Sequence, residues 1–478
     1  MNKSIKTLLA VLIGFAALNT ASAQVTRTDF FMETSYLRNQ LNPAMRPDQG
    51  YLVLPFLPNV GISLQTNSFN LHTLTFPHES GQRVTFMHPS VDASRFLSGL
   101  SNNNYISGEV NLKLFGLGFF RGDNFWNINL GIRTIAGINV PKPFFGLLKN
   151  GFDQYEQTSY SLANLSFVGQ SFAELGLSHS RPFLDNSLMV GARVKLIGGL
   201  SDAHFNVERL SITAGPEYWE AQSRVLLNVT APGVRAVYNE DDSLDSIDFS
   251  LDNFAMPGFG FGFDLGAVYH LGAILPAVEG LRVSASLNDI GFISWSGNHS
   301  VRLVSPETTI RIDPRDAENY DQGSSLIDLF DNIFDEIQEA VTLKASDVQG
   351  NRTMALRANL VLGVEYEIIK HRLSAGLLFT NRFSNYFNKS EFTVSANGRP
   401  TPWLSTSISY SVVHSHFNTF GFALHITPSA GLNLFLASDY VIPHINSDFM
   451  PTTTKGLNFQ AGISIPLGSR RSNRSESL

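Results

Sequence analysis

The chain contains no cysteine, and beyond its N-terminus it has no long hydrophobic run. Without cysteine, neither a disulfide framework nor a lipid anchor on an N-terminal cysteine is possible. Apolar runs of about 18 residues, which a membrane-spanning helix needs, do not occur after the first residues of the chain. A basic excess is also missing, since 34 Lys and Arg stand against 41 Asp and Glu. This balance argues against a nucleic-acid partner.

The N-terminus has the features of a secretory signal. Lys3 and Lys6 are basic, residues 8–18 are apolar, and Ala21-Ser22-Ala23 forms a cleavage site. We therefore expect residues 1–23 to be a signal peptide that is removed. Removal takes two of the 34 basic residues and leaves 32 against 41 acidic ones. Export without cysteine fits a protein of the bacterial envelope.

The clearest pattern in the mature chain is a period of two between residues 258 and 290. From 259 to 271 the odd positions are Phe, Phe, Phe, Leu, Ala, Tyr and Leu, whereas the even positions are mostly small or polar. Residues 281–288 repeat the alternation. At about 3.3 Å per residue and a tilt near 45°, roughly ten residues cross the apolar band of an outer membrane. The pattern predicts long strands with one lipid-facing side.

Similar runs recur to residue 465 and predict an all-β fold, a closed transmembrane antiparallel β-barrel of about 14 strands, with roughly 12 to 16 tolerated. Residues 24–50 are irregular and are expected to form an N-terminal plug or periplasmic segment. The barrel is expected at 51–468, with a helical loop insertion at 305–350 and a polar tail at 469–478. A secreted β-sandwich also alternates, but its strands are usually shorter.

Within each predicted strand, the charged residues occupy the same alternate positions as the small and polar residues. We call this set of positions the polar parity and the other set the apolar parity, and we expect the polar parity to face the barrel interior. On the lipid face each would cost about 2–4 kcal/mol near the midplane. The candidates for lining the lumen are Lys113, Arg133, Glu174, Arg193, Lys195, Asp264, Arg282, Arg357 and Glu365. An ion-paired, filled lumen is the favoured interpretation, because buried charges are normally paired. The alternative is a surface that selects a substrate head group.

Residues 324–340 are predicted to form an amphipathic helix inside the long insertion. Its apolar face is Leu326, Phe330, Ile333, Phe334 and Ile337, and its polar face is acidic. An acidic face argues against an anionic lipid surface. We expect this helix to pack at a barrel mouth, with binding of a partner protein as the alternative.

Several motifs together resemble a known family. They are Asn42-Pro43-Ala44, the run at 54–59, the run from Asp289 through Gly291 to Trp295, and the strand end at 436–439. In these the chain resembles an uncharacterised family of Bacteroidetes outer-membrane proteins, a domain of unknown function. More distantly it resembles FadL-type transporters of hydrophobic compounds and the PorP/SprF- and PorV-like barrels of secretion and gliding. The resemblance implies a bacterial outer-membrane location and a barrel of roughly the predicted size.

Two functions follow as hypotheses. The first is FadL-like transport or binding of a hydrophobic or amphipathic small molecule, with residues 24–50 lining or plugging the lumen. The second is a barrel without transport activity that docks other envelope or secretion proteins. No nucleophile elbow or catalytic spacing occurs, so an enzyme is not expected. No metal or cofactor is predicted either, and the expected surroundings are outer-membrane lipid.

Overall fold

The computed structural model describes residues 26–57, 59–150, 157–214, 219–239, 244–249, 255–305, 307–312, 344–346, 350–383, 388–413, 417–428, 431–441 and 455–468. Strands dominate this part of the chain. In chain order they are β1 (Gly50–Val53), β2 (Asn59–Thr66), β3 (Thr75–Pro77), β4 (Arg83–Thr85), β5 (Asn103–Arg121), β6 (Asn124–Pro141), β7 (Thr158–Ser161), β8 (Ser166–Phe183), β9 (Leu188–Ala214), β10 (Trp219–Thr230), β11 (Val234–Tyr238), β12 (Leu244–Phe249), β13 (Gly258–His270), β14 (Leu281–Trp295), β15 (Ser300–Val304), β16 (Thr308–Ile312), β17 (Lys344–Ala345), β18 (Arg352–Ala355), β19 (Asn359–Ile369), β20 (Leu373–Arg382), β21 (Lys389–Thr401), β22 (Leu404–Val413), β23 (Phe417–Ile426), β24 (Asn433–Val441) and β25 (Gly456–Leu467).

The helices are few and short. The α-helices that the described residues form are α1 (Arg38–Leu41), α2 (Leu71–Leu74), α3 (Ala93–Ser98) and α4 (Lys142–Asn150), and the 3-10 turns are Leu271–Ala273, Pro276–Val278 and Gly297–His299. Across the described residues, no helix has the length and apolar character needed to cross a membrane.

Antiparallel pairing closes the wall strands into a ring of 14. In order, the wall positions are β1 with β2, then β5, β6, β8, β9, β13, β14, β18 with β19, and β20 to β25. The ring closes because β25 pairs with β1 and β2, which pair with β5 on their other side. The predicted closed, antiparallel, all-β barrel of about 14 strands is confirmed.

The two ends of the barrel differ in the length of their connections. Short turns join strands at one end, for example residues 122–123 between β5 and β6 and residues 184–187 between β8 and β9. At the other end, longer segments such as 67–102 connect β2 to β5 and carry α2 and α3. We call these the short-turn end and the long-loop end. Phenylalanines of the 67–102 segment, including Phe69 and Phe96, pack with Phe145 of α4 in a separate apolar core at the long-loop end.

Strand β9 extends far beyond the ring. Its first part, 188–199, pairs with β13, whereas its second part, 202–214, pairs with β10. Strand β10 also pairs with β15 and β16, so a small sheet continues the wall past the long-loop end. The sequence pattern shows separate runs at 187–199 and 203–213, and the structure joins them in one strand.

The two faces of the wall follow the period-two pattern. On β8 and β9 the outward side chains of Leu177, Val194 and Leu196 are 41–49% exposed. The inward side chains of Arg193 and Lys195 are only 2–3% exposed. An apolar outside and a polar inside are the arrangement that lipid requires of a barrel.

Replacing an outward apolar residue by a charge should therefore destabilise the barrel. We expect Val194→Arg to cost about 2–4 kcal/mol, because a guanidinium near the midplane loses its hydration. The measurement is the free energy of unfolding in lipid vesicles by denaturant titration. Thr213→Arg, on the extension of the same strand beyond the ring, is the control and should change little. Equal effects at the two positions would contradict the lipid assignment of this face.

Candidate functional site

Residues 26–48 lie inside the barrel and most of them are buried. We call this stretch the lumen segment; it includes α1. Its hydrogen bonds reach β24 and β25 on one side of the wall and β6, β8 and β9 on the other. A chain segment in contact with opposite walls fills the lumen at that level.

Asp439 on β24 anchors the beginning of the lumen segment. Its carboxylate accepts hydrogen bonds from the backbone amides of Arg27 and Thr28, both at 2.9 Å, and from the Thr28 hydroxyl at 2.8 Å. It also forms an ion pair with the Arg27 guanidinium at 3.3 Å, and Asn458 donates to it at 2.9 Å. The carboxylate is 0% exposed. Such a fully satisfied buried acid fixes the position of the segment.

Asn39 holds the middle of the lumen segment. Its side-chain oxygen accepts from Asn127 at 3.0 Å, Ser178 at 3.2 Å and Arg193 at 2.6 Å. Its amide nitrogen donates to the carbonyls of Pro43 and Met45, both at 3.0 Å. One side chain thus joins the wall to the turn that follows α1.

The Asn42-Pro43-Ala44 motif forms that turn and packs against the wall. Asn42 donates to the carbonyls of Ala267 and Ala285, both at 3.3 Å, and accepts from the amide of Ala44 at 2.9 Å. The motif approaches the wall backbone so closely that a Cβ atom at Gly191 or Gly266 would collide with it. Glycine is required at these two wall positions because the lumen segment lies directly against them.

A buried ion cluster occupies the lumen next to the lumen segment. Asp289 on β14 accepts from Arg133 at 2.9 and 3.0 Å and from Lys195 at 2.5 Å. Lys195 also pairs with Asp264 at 2.8 Å, and Arg133 pairs with Glu174 at 3.3 Å. Arg193 completes the cluster through Asp264 at 3.1 Å. Both signs are present and every member is paired within the cluster.

A β-bulge brings Asp289 into this cluster. The register between β13 and β14 shifts between Phe263 and Leu265, and Asp289 has a φ of 58°. Asn288 and Asp289 consequently both face inward, at 3% and 8% exposure. Strict alternation would place Asp289 on the apolar parity. Alternation alone therefore does not place Asp289 in the lumen, although a charge at an apolar position of the pattern is the signal that marks it.

Further ion pairs tie the lumen segment to the wall. Arg282 pairs with Glu33 of the segment at 2.9 Å and with Glu365 of β19 at 3.2 Å. Arg27 pairs with Glu391 at 3.2 Å. The partners Glu33, Glu391 and Asp439 were not among the sequence candidates. Glu33 lies in irregular sequence, where no periodicity marks a face. Glu391 and Asp439 lie on the wall strands β21 and β24, and Glu391 shares alternate positions with Thr393 and Ser395, so the alternation was the available signal for it.

The structure places the nine predicted lumen residues on the inner side of the wall or at its inner edge. Arg133, Glu174, Arg193, Lys195 and Asp264 meet in the ion cluster described above. Arg282 and Glu365 meet at the lumen segment, and Arg357 lies near Glu109 and Arg382 around a small cavity. Lys113 is separate and has its ammonium over the ring of Tyr36, 4.7 Å from its centre.

The predicted helix at 324–340, with Leu326, Phe330, Ile333, Phe334 and Ile337, lies outside the described residues. The predicted signal peptide and the polar tail at 469–478 also lie outside them. Of the motif residues, Gly291 lies against the Phe261 backbone and Trp295 is fully buried at 0% exposure. Trp295 faces inward because the bulge reverses the parity of β14.

The first wall strand has a break between β1 and β2. Seven residue steps separate Leu52 from Asn59, whereas three separate their partners Ile465 and Gly462 on β25. Four extra residues therefore leave the wall at this point. The described residues 54–57 read Leu-Pro-Phe-Leu, and Phe56 is 76% exposed. An uncharged loop thus projects outward from the barrel wall.

An aromatic cluster closes this wall break from the inside. Tyr51 stacks on Tyr36 with ring centres 4.5 Å apart, and Phe435 meets Tyr36 edge-on at 5.5 Å. The Tyr36 hydroxyl donates to Asn59, the first residue after the break. We call Tyr36, Tyr51 and Phe435 the aromatic seal. Of these three, Tyr36 belongs to the lumen segment, whereas Tyr51 and Phe435 belong to the wall strands β1 and β24.

A cavity of about 1200 Å³ lies at the short-turn end, and we call it the vestibule. Its inner side is the lumen segment, including Glu33, Arg38 and Met45, and its rim is formed by turns such as residues 185–187. A smaller cavity of about 100 Å³ lies beside the ion cluster, with Gln40 and Leu41 of the segment in its lining. The lumen segment contributes to both cavities.

Several solved structures are similar to this chain. The TodX deltaS2S3 mutant monoaromatic hydrocarbon channel is 8% identical to it, the alignment covers 94% of this chain and 96% of that chain, and the TM-score is 0.44. The P. putida toluene transporter TodX has 7% identity, 94% and 96% coverage and a TM-score of 0.35. The siderophore receptor PirA from Pseudomonas aeruginosa has 8% identity, 86% and 80% coverage and a TM-score of 0.22.

No curated protein matches the chain in sequence. A family model does match it, over residues 43–439, from the proline of the Asn42-Pro43-Ala44 motif to the anchoring Asp439. The chain therefore belongs to that family, DUF5723, which is described as a family of unknown function.

Proposed function

We propose that this protein is an outer-membrane barrel that passes a hydrophobic or amphipathic small molecule between its interior and the surrounding membrane. The exit is the wall break at residues 54–57, and the lumen segment controls it. The observation that carries this proposal is the position of the aromatic seal, which lies directly behind an uncharged gap in the wall.

The chemistry of the lumen favours a lateral exit over an axial one. Along the axis, a solute would have to pass the paired charges around Asp289 and Asp439, and an apolar molecule would separate them without replacing their hydrogen bonds. The lining at the wall break includes aromatic rings and the apolar residues 54–57, and its polar groups include the uncharged Asn59 and the Lys113 ammonium, which lies over the Tyr36 ring. An apolar solute leaves favourably there because lipid lies immediately outside.

Control of the exit follows from the place of Tyr36. Its ring is held by Tyr51, Phe435 and Asn59, all on the wall, while its backbone belongs to the lumen segment. A shift of the segment withdraws this ring and opens the path. The segment's anchors at Asp439 and Asn39 set how readily this happens.

Closing the break is the direct test. Deletion of residues 54–57 together with Pro58→Val removes the four extra residues, keeps the inward parity of Val53 and Asn59, and restores a backbone donor. In proteoliposomes, we expect the wild type to speed the entry of a fluorescent long-chain alcohol over protein-free vesicles. The deletion should abolish this gain, and Tyr36→Ala should increase the rate several-fold.

Tyr366→Ala is the matched control, because Tyr366 is an outward-facing tyrosine, 48% exposed, remote from the aromatic seal. It should leave the entry rate unchanged. Equal entry rates for the wild type and the folded deletion variant would contradict the proposed lateral exit. A wild type no faster than empty vesicles for alcohols, aromatic hydrocarbons and fatty amides alike would remove the transport proposal as a whole.

A further inference from the structure

We propose that Arg38 anchors a binding site for a small carboxylate monoanion in the vestibule. This site lies at the short-turn end, and it goes beyond the lateral passage proposed above. It rests on the guanidinium of Arg38, which is buried but lacks the hydrogen-bond acceptors that a protein interior normally provides to a buried charge.

Arg38 is 6% exposed and lines the vestibule. Its Nη2 reaches only the sulfur of Met45, at 3.4 Å, and its Nε is buried without a hydrogen bond. Among the described residues, no carboxylate lies within ion-pair distance of it. Thioether sulfur is a weak acceptor, so the fork of donors on this side chain is almost wholly unused. Buried charges are otherwise paired or coordinated.

The other basic groups around the vestibule show how unusual this is. Two of the arginines and lysines that line it have a carboxylate partner within 4 Å: Arg282 with Glu33 at 2.9 Å and Glu365 at 3.2 Å, and Lys370 with Glu279 at 3.8 Å. A third, Arg46, donates to the backbone carbonyl of Asp123 at 2.6 Å and lies over the Phe120 ring. Arg38 is more buried than Lys370 and has no carboxylate within that distance.

The shape of the guanidinium indicates which kind of acceptor would bind to it. Its planar fork of N–H groups matches the two oxygens of a carboxylate or of a phosphate. The neighbouring Glu33, Glu365 and Glu367 place negative charge on this side of the vestibule; all three pair with Arg282, and Glu33 and Glu365 also attract Arg38 from beyond ion-pair distance. Because each negative charge on a ligand is repelled by these carboxylates, a carboxylate monoanion is favoured over a phosphate dianion.

The lining beside Arg38 defines the rest of the ligand. Ala44, Met45, Met189 and Val268 belong to one apolar cluster and also line the vestibule. A short aliphatic chain attached to the carboxylate would lie against them. The vestibule therefore fits a water-soluble, short-chain carboxylate that enters from the short-turn end.

Butyrate is the probe of choice because its short chain partitions little into detergent micelles. Equilibrium dialysis of the full-length barrel with labelled butyrate should give saturable binding. Arg38→Gln should weaken this binding at least tenfold. Lys370→Gln, which removes a cation from the same vestibule but at an exposed ion pair, should change it less than twofold. Inorganic phosphate at pH 8 should bind more weakly than butyrate.

Folding of each variant is verified by its heat-dependent mobility in gel electrophoresis, and Arg38→Met provides an uncharged variant of similar length. Absence of saturable butyrate binding to the wild type would overturn the proposal. Unchanged binding to either folded Arg38 variant would also overturn it. Phosphate binding tighter than butyrate would overturn the assignment of a monoanion. None of these outcomes depends on whether the wall break conducts an apolar solute.

Discussion

Asp439→Ala is expected to free the lumen segment and to convert a closed barrel into a conducting one. The variant leaves the buried amides of Arg27 and Thr28 without their acceptor and removes one of the two carboxylates that pair with the Arg27 guanidinium. Breaking a buried ion pair from one side costs about 3–5 kcal/mol. This free-energy cost destabilises the state in which the lumen segment is docked against the wall. The state in which the segment is released therefore becomes populated.

Single-channel recording in planar bilayers measures this effect. We expect long openings from Asp439→Ala and a low conductance from the wild type. The absence of cysteine supplies a second readout, since Thr28→Cys introduces the sole thiol of the chain. A water-soluble maleimide should label it in the Asp439→Ala background and not in the wild-type background.

Asp185→Asn is the control, because it removes a carboxylate from an exposed short turn where φ is 51° and asparagine is tolerated. It should leave conductance and labelling as in the wild type. If Asp439→Ala folds, stays closed and leaves the thiol protected, the lumen segment is not held by this anchor.

Asp289→Ala is expected to destabilise the barrel itself. Asp289 joins Arg133 and Lys195, and its removal leaves these two cations facing each other with fewer counter-charges. The expected loss is about 3–5 kcal/mol in the free energy of unfolding. Urea titration in vesicles, followed by tryptophan fluorescence, measures it, and Trp295 on the same strand is a buried reporter.

Glu307→Gln removes a carboxylate from an exposed ion pair with Arg209 and should cost less than about 1 kcal/mol. Asp289→Asn should lie between the two, since it keeps hydrogen bonding but loses the charge. A cost for Asp289→Ala no larger than that of Glu307→Gln would show that the ion cluster contributes little to stability.

The wall was largely predictable because lipid imposes a simple rule on alternate residues. Arg193, Lys195 and Glu365 were expected inside on parity alone, and each is buried there. Parity fails where the backbone departs from a regular strand. The bulge at Asp289 places this carboxylate on the inner face of the wall, although its position in the alternation predicts the outer face. The extra residues after Val53 are not part of the wall at all.

Contacts of the lumen segment could not be predicted from periodicity. The segment is irregular, and some of its partners are more than 400 residues away in the chain, as with Thr26 and Gln460. A motif such as Asn42-Pro43-Ala44 indicates a special role, but it does not reveal the two wall glycines against which it packs. The alternative function, docking of envelope or secretion proteins, was motivated by a helix that lies outside the described residues, and it stays a hypothesis.

The pairing of β25 with β1 has a consequence for how the molecule assembles. This seam joins the two most distant wall strands, and Asp439 and Gln460 beside it hold the start of the lumen segment from within. Bringing such remote partners together is entropically slow. We therefore expect the seam and its internal tether to form late in folding, and opening of the folded barrel at this seam would break both.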